Sequence, residues 1–141
     1  MPLLRFDLIE GRTEAELKTL LDAAHRAMLE AFKVPERDRY QIVQEHKRNR
    51  MIVEDTGLGI ERTDKVVVLQ VISRPRPREK KEAFYRLLCE ELERACGIAP
   101  SDVMVSIVEN TDEDWSFGLG RGQFLTGSFS RARCKAGPES A

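Results

Sequence analysis

Two consecutive copies of one β-α-β pattern restrict the possible folds of this chain more than any other feature of its sequence. In the first copy, a strand at Leu3 to Ile9 precedes a helix that runs to about Phe32 and a strand near Tyr40 to Gln44. Thr13, followed three residues later by Glu16, is typical of a capping box at the start of that helix. Apolar side chains recur at helical spacing along one face, which predicts a helix packed against a sheet.

The second copy repeats these elements about 65 residues later. It has a strand at Lys65 to Ser73, a helix from about Pro77 to Cys96 that Gly97 closes, and a strand at Val103 to Glu109. A helical crossover of this length joins parallel strands. We therefore predict an α+β fold of α/β-type units, in which two tandem β-α-β units form one four-stranded sheet with two helices on one face. Short hairpin inserts, one of them at Met51 to Gly59, are expected to decorate this core.

The chain is expected to form one domain. Residues 1–129 would hold the first unit at about 2–46 and the second at about 65–110. The last residues, 130–141, combine basic side chains with a Gly-Pro pair and are expected to form a flexible tail.

One face of the predicted sheet would carry both helices, and the other face would carry none. The run Val66 to Leu69 is apolar at every position, which is typical of a strand that is buried on both faces. A homo-oligomer that packs the uncovered faces together would supply the missing burial.

The charge and hydropathy of the chain exclude several classes of protein. The formal net charge of −1 provides no general attraction to nucleic acids or membranes. No apolar run approaches the length of a membrane span, and the charged first residues do not form a signal peptide. We therefore expect a cytoplasmic protein with no nucleic-acid or membrane partner. Cys89, Cys96 and Cys134 lack the spacing of a metal or C-x-x-C motif, so we expect reduced thiols.

Pro2 follows the initiator methionine and stands directly before the first strand. Met1 is normally removed in the cell when a small residue such as proline follows it, and Pro2 would then carry a secondary amine. An α-amino group titrates near pKa ~8, so its surroundings can make it an acid, a base or a nucleophile. The same nitrogen in an amide would have none of these roles.

Two arginines follow the first strand of the second copy, in Arg74-Pro75-Arg76. The carboxyl ends of parallel strands are where such units place their ligands, and two extended arginines there would suit a small carboxylate. The alternative is an exposed basic loop that Glu79 and Glu82 neutralise.

Other candidates are weaker when they are taken alone. Asp38 begins the second strand, where it is either a site carboxylate or the ion-pair partner of a flanking arginine. The aromatic segment around Trp115 and Phe117 either walls a small apolar pocket or packs between subunits. We interpret His25 as structural or solvated and place His46 in an exposed turn.

The proline at the head of a strand, the two β-α-β copies and the basic strand end near an aromatic loop together resemble the tautomerase superfamily. More narrowly, six stretches look like the malonate semialdehyde decarboxylase family, over roughly residues 2–129. They are Pro2 to Thr13, Asp38 to Tyr40, Glu54 to Gly59, Ser73 to Arg76, Gly97 to Pro100 and Asp114 to Gly118.

This resemblance implies a homotrimeric decarboxylase that needs no metal and no organic cofactor. The family's catalytic proline maps onto Pro2. Its further site residues, for catalysis and for holding a small carboxylate substrate, map onto Asp38, Arg74, Arg76, Trp115, Phe117 and Leu125. The implied reaction converts malonate semialdehyde (3-oxopropanoate) to acetaldehyde and CO2 once Met1 has been removed.

Three alternatives remain open at this point. The first is keto–enol tautomerisation of a 2-oxo acid such as phenylpyruvate, for which a neutral Pro2 would be the base. The second is hydration of a small unsaturated acid. The third is a non-enzymatic trimeric binding protein in which Pro2 has no role.

Overall fold

A computed structural model describes residues 1–127 of the chain. The main elements are β1 (Leu3–Ile9), α1 (Glu14–Phe32), β2 (Tyr40–His46), β3 (Val67–Ser73), α2 (Arg78–Cys96) and β4 (Val103–Glu109). The shorter elements are the helix α3 (Gln123–Thr126) and 3-10 turns at Arg48–Arg50, Pro100–Asp102 and Asp112–Asp114. The repeated β-α-β order that the sequence predicts is therefore confirmed.

The ends of both long helices are fixed by local hydrogen bonds. At the start of α1, the Thr13 hydroxyl accepts the backbone N–H of Glu16 at 3.1 Å, and the Thr13 N–H donates to the Glu16 carboxylate at 3.0 Å. These bonds form the predicted capping box and pair N–H groups that have no intrahelical acceptor in the first turn. At the end of α2, Gly97 adopts a left-handed φ of 67° and donates its N–H to the carbonyl of Glu93.

The four strands form one sheet in the order β2-β1-β3-β4. β1 pairs with β2 in parallel and β3 pairs with β4 in parallel, as the crossovers predict. The two units are joined by an antiparallel pairing of β1 with β3. The sheet is consequently mixed, and the start of β1 lies beside the end of β3.

Both long helices pack on one face of the sheet, as predicted. Their contact includes a stacked ring pair, Phe32 of α1 and Phe84 of α2, with centroids 5.1 Å apart. Alternate strand residues point into the same core and are at most 1% exposed: Leu4, Phe6, Leu8, Val67, Leu69 and Val71. Period-two burial of this kind is what a sheet covered on one side requires.

The other face of the sheet is partly apolar and carries neither α1 nor α2. Tyr40, Ile42, Met104 and Val108 on this face are between 40% and 46% exposed. They alternate with partly buried side chains of their own strands that pack against the core, such as Val43 and Val105, so the same pleat serves the core and the open face.

The predicted hairpin at Met51 to Gly59 is wrong, because this segment forms a loop without strand pairing. The carboxylate of Asp55 accepts the backbone N–H groups of Gly57, Gly59 and Ile60, at 3.0, 2.7 and 3.0 Å. Three side-chain bonds thus organise the turn and take the place of a strand ladder.

Some element boundaries also differ from the predictions. His46, which was expected in an exposed turn, is the last residue of β2, and its Nε2 lies 2.7 Å from an oxygen of Asp7. β3 begins at Val67 rather than at Lys65. The predicted tail at 130–141, with Cys134, lies outside the described residues. No helix of the described part has the length and apolar character needed to cross a membrane.

Candidate active site

Four strand ends meet at one edge of the sheet. The antiparallel junction brings the start of β1 beside the end of β3, and the parallel pairs add the start of β2 and the end of β4. Leu3 pairs with Tyr40 of β2 and with Ile72 of β3. Pro2, one residue earlier, therefore lies between the entry into β2 and the Ser73 end of β3.

Asp38 reaches this edge from the turn between α1 and β2. Its backbone N–H donates to the carbonyl of Pro35 at 2.9 Å, and its side chain is only 5% exposed. The next residue, Arg39, donates to Asp22 of α1 at 2.7 Å and to Gln41 at 2.8 Å, so the helix anchors the segment that carries Asp38.

Met1 and Pro2 are both buried at this edge, and Met1 is only 3% exposed. The Met1 amino nitrogen lies 3.9 Å from Oδ2 of Asp38. A cationic amine therefore has a buried carboxylate as its neighbour. Removal of Met1 would transfer the terminal amine to Pro2 and open the space that the methionine fills.

Arg74 extends from the end of β3 toward the segment that follows β4. Its Nε donates to Asp112 at 2.5 Å, and its guanidinium carbon lies 4.4 Å from the centre of the Phe124 ring. An ion pair and a ring face together restrict the orientation of this long side chain.

Arg76 is held by a different set of groups. Its Nε donates to the Ser73 hydroxyl at 3.2 Å, and its backbone N–H donates to Glu109 at 3.0 Å. Its guanidinium carbon lies 5.2 Å from the centre of the Phe32 ring. Arg78, the next basic residue, forms an exposed pair with Glu82 inside α2.

An aromatic cluster lies beside Arg74. Phe117 stacks on Trp115 with centroids 5.5 Å apart and meets the edge of Phe124 at 5.6 Å. Tyr40, the register partner of Leu3, lies 5.7 Å from Phe117 and connects the cluster to the edge of the sheet. Burial and the neighbouring charge of Asp38 raise the pKa of the Tyr40 phenol.

Sequence reasoning missed several members of this arrangement. Phe124 is the residue that touches both Phe117 and Arg74, whereas the neighbouring Leu125 is 66% exposed. Ser73 and Asp112 carry no local sign of their contacts with the arginines. Their contacts depend on the sheet register, for Ser73, and on the path of the loop after β4, for Asp112. Both are known only once the chain has folded.

The side chains at this edge suit a small anionic molecule with an apolar part. Two guanidinium groups can bind a carboxylate, the aromatic cluster can cover an apolar group, and a terminal amine beside Asp38 can exchange a proton. Among residues 1–127, no group of three metal-binding side chains comes together.

Family models match most of the described chain. A model described as a tautomerase enzyme matches residues 38–118, and a second model with the same description matches residues 2–61. The probable tautomerase YrdN of Bacillus subtilis (strain 168) is 66% identical over 127 residues, which cover 90% of this chain and 98% of that protein.

Two solved structures share both the fold and a substantial part of the sequence. One is a malonate semialdehyde decarboxylase whose structures were described as a basis for decarboxylase and hydratase activities. It has a TM-score of 0.88 and 60% identity, over 89% of this chain and 98% of that chain. The other, FG41 malonate semialdehyde decarboxylase inhibited by 3-bromopropiolate, has a TM-score of 0.86 and 38% identity, over 89% of this chain and 96% of that chain.

Proposed function

This chain belongs to the tautomerase superfamily, and from that membership we propose that it decarboxylates malonate semialdehyde to acetaldehyde and CO2. One observation carries the proposal. The amino-terminal segment, Asp38, Arg74 and Arg76 meet at one edge of the sheet, in a chain that is 60% identical to a malonate semialdehyde decarboxylase.

Pro2 is the proposed catalytic group, once Met1 has been removed. Its secondary amine would take over the buried position near Asp38, where the amino nitrogen of Met1 lies 3.9 Å from the carboxylate. A neighbouring carboxylate favours a cationic amine, while neighbouring guanidinium groups favour a neutral one. The balance between Asp38 and the two arginines thus sets the protonation state of Pro2.

Decarboxylation breaks the bond between the carboxylate carbon and C2, and the electron pair must move toward the aldehyde carbonyl. A cationic Pro2 would donate a hydrogen bond to that carbonyl oxygen and stabilise the enolate. A neutral Pro2 would instead form an iminium with the aldehyde, which accepts the same electron pair. In both routes C2 then takes up one proton. The iminium route also releases one water as the C–N bond forms and consumes one water as hydrolysis breaks that bond, so both routes yield acetaldehyde and CO2 and return Pro2 to its starting state.

The arginines and the aromatic cluster have separate proposed roles. Arg74 and Arg76 would hold the carboxylate and keep it turned out of the carbonyl plane, so that the breaking bond overlaps the carbonyl π-system. Trp115 and Phe117 would exclude water, and the low local dielectric favours loss of the charged group as neutral CO2.

Tautomerisation of a 2-oxo acid is the second candidate, because YrdN, at 66% identity, is named a probable tautomerase. That reaction needs a neutral Pro2 to remove a proton from C3, with an arginine on the carboxylate. Enol production from phenylpyruvate, measured by ultraviolet absorbance, distinguishes it from acetaldehyde release.

We also propose that residues 1–129 form one domain that assembles as a homotrimer. The sheet face that carries Ile42, Met104 and Val108 is open in one chain, and a neighbouring copy would cover it. Sedimentation equilibrium measures the assembly directly.

Acetaldehyde release from malonate semialdehyde, coupled to alcohol dehydrogenase, tests the proposed activity. Wild type is compared with Pro2→Ala and with Pro100→Ala, which changes a proline at the opposite edge of the sheet. We expect a loss of at least about 100-fold for Pro2→Ala, the order of one general acid–base group, and little change for Pro100→Ala. Equal rates for all three proteins would reject the requirement for the secondary amine of Pro2.

A further inference from the structure

Ser73 is the only polar residue among the inward-facing positions of β3. The other positions are Val67, Leu69 and Val71, and all of them, like Ser73, are 0% exposed. A hydroxyl in such a place costs free energy unless both its donor and its acceptor functions find partners. The partners of Ser73 therefore indicate why a serine occupies this position.

Both functions of the hydroxyl are used within the Arg74-Pro75-Arg76 segment. The Ser73 O–H donates to the carbonyl of Arg74 at 2.8 Å, and its oxygen accepts Nε–H of Arg76 at 3.2 Å. Because the donor from Arg76 is charged, that bond is stronger than one between neutral groups.

The side chain of Glu109, the β4 partner of Ser73, holds the backbone of Arg76. Ser73 pairs with Glu109 in the register of β3 and β4, and Glu109 accepts the backbone N–H of Arg76 at 3.0 Å. The carbonyl of Ser73 accepts the N–H of Asn110 at 2.8 Å. Arg76 is thus held at its backbone by Glu109 and at its guanidinium by Ser73 and the ring of Phe32.

From this geometry we propose that Ser73 is a positioning residue that orients the guanidinium of Arg76 toward the substrate carboxylate. The inference rests on the proposed function, in which the carboxylate must be turned as well as bound. Charge alone would bind a carboxylate, but a fixed twist requires a fixed guanidinium plane. Arg74 is oriented by Asp112 and Phe124, so Ser73 acts on the side chain of Arg76 alone.

A double-mutant cycle tests this role. The variants are Ser73→Ala, Arg76→Ala and the double variant, with Ser101→Ala as a matched control at an exposed serine near the opposite edge. Ser73→Ala is expected to lower kcat about 10- to 100-fold, the loss that corresponds to one hydrogen bond with a charged group, and to change KM less. In the Arg76→Ala background the same change is expected to alter kcat by less than about twofold.

Ser73→Thr keeps the hydroxyl and is expected to recover most of the lost activity. Melting temperatures are measured for every variant, since the extra methyl group has to fit into a closed site. If the threonine variant does not fold, the double-mutant cycle with Arg76→Ala still tests the positioning role of Ser73. An equal loss in both backgrounds, or no loss in a folded Ser73→Ala protein, would overturn the proposal.

Calorimetric titration with malonate separates this inference from the proposed reaction. If wild type released no acetaldehyde, the decarboxylase proposal would fail, while Ser73→Ala would still be expected to weaken malonate binding at least about fivefold. Wild type that does not bind malonate, or equal binding by Ser73→Ala, would overturn the positioning role.

Discussion

The ion pairs of Asp22 make a quantitative prediction about stability. Asp22 lies on α1 and accepts hydrogen bonds from Lys18 at 2.8 Å and from Arg39 at 2.7 Å. These partners lower its pKa from the ordinary value of 3.8 to about 2. Arg39 is the residue next to Asp38, so the same pairs tie the site segment to the helix.

The size of the effect follows from that pKa. A pKa lowered from 3.8 to about 2 corresponds to at most about 2.4 kcal/mol between the two protonation states. The side chain of Asp22 is 32% exposed, and water weakens ion pairs at such a position. We therefore expect Asp22→Asn to lower the free energy of unfolding by about 1 kcal/mol at pH 7.

The sign of the pH dependence also follows. A carboxyl group whose pKa is lower in the folded chain stabilises the fold above its unfolded pKa, and this stabilisation is lost as pH falls toward about 2. The difference between wild type and Asp22→Asn should therefore be full at pH 7 and reduced by about half or more at pH 3.

Urea unfolding at pH 7, 5 and 3, followed by circular dichroism, measures this difference. Asp64→Asn is the matched control, because Asp64 is 61% exposed in its pair with Arg48. The control is expected to change stability by less than about 0.5 kcal/mol. A deficit for Asp22→Asn that stays constant from pH 7 to pH 3 would refute the reasoning, as would no deficit at pH 7.

Three further predictions concern single side chains. Thr13→Ala removes the helix cap and should lower the free energy of unfolding in urea by about 1 kcal/mol, whereas an unchanged midpoint would contradict the role of the capping box. Asp112→Ala removes the ion-pair partner of Arg74 and should alter KM for malonate semialdehyde with little change in melting temperature; an unchanged KM would show that Asp112 does not orient Arg74. Phe117→Ala removes the central ring of the aromatic cluster and should reduce kcat/KM at least about tenfold in steady-state assays, and full activity in that variant would exclude the cluster as a pocket wall.

Local patterns of the sequence predict the strands and helices well. Examples are the capping box at Thr13, the left-handed Gly97 and the apolar periodicity of the helices. Each of these signals involves residues that are only a few positions apart, so it can be recognised without the rest of the fold. The antiparallel pairing of β1 with β3 could not be predicted in this way, because it joins two units across a long connection. The hairpin prediction failed because Asp55 organises its turn through side-chain bonds that apolar spacing does not indicate.

The residues of the candidate site also fall into those that the sequence reveals and those that only the fold reveals. Pro2 and the Arg74-Pro75-Arg76 segment are recognisable from position and composition, and the structure brings them to one edge. Ser73 looks like an ordinary strand residue until its register beside Glu109 is known. Phe124 and Leu125 are neighbours of similar apolar character, and only the turn of α3 determines that Phe124 contacts the cluster.

The proposed reaction requires the free amine of Pro2, and the state of Met1 tests this requirement without any mutation. The same chain is isolated in two forms, one trimmed and one retaining Met1 through inhibition of methionine aminopeptidase during expression. Intact mass gives the trimmed fraction, and coupled alcohol dehydrogenase gives acetaldehyde release. We predict that activity rises in proportion to the trimmed fraction and is absent from the form that keeps Met1. Equal activity in both forms would contradict the account, because the Pro2 nitrogen of the untrimmed chain is an amide.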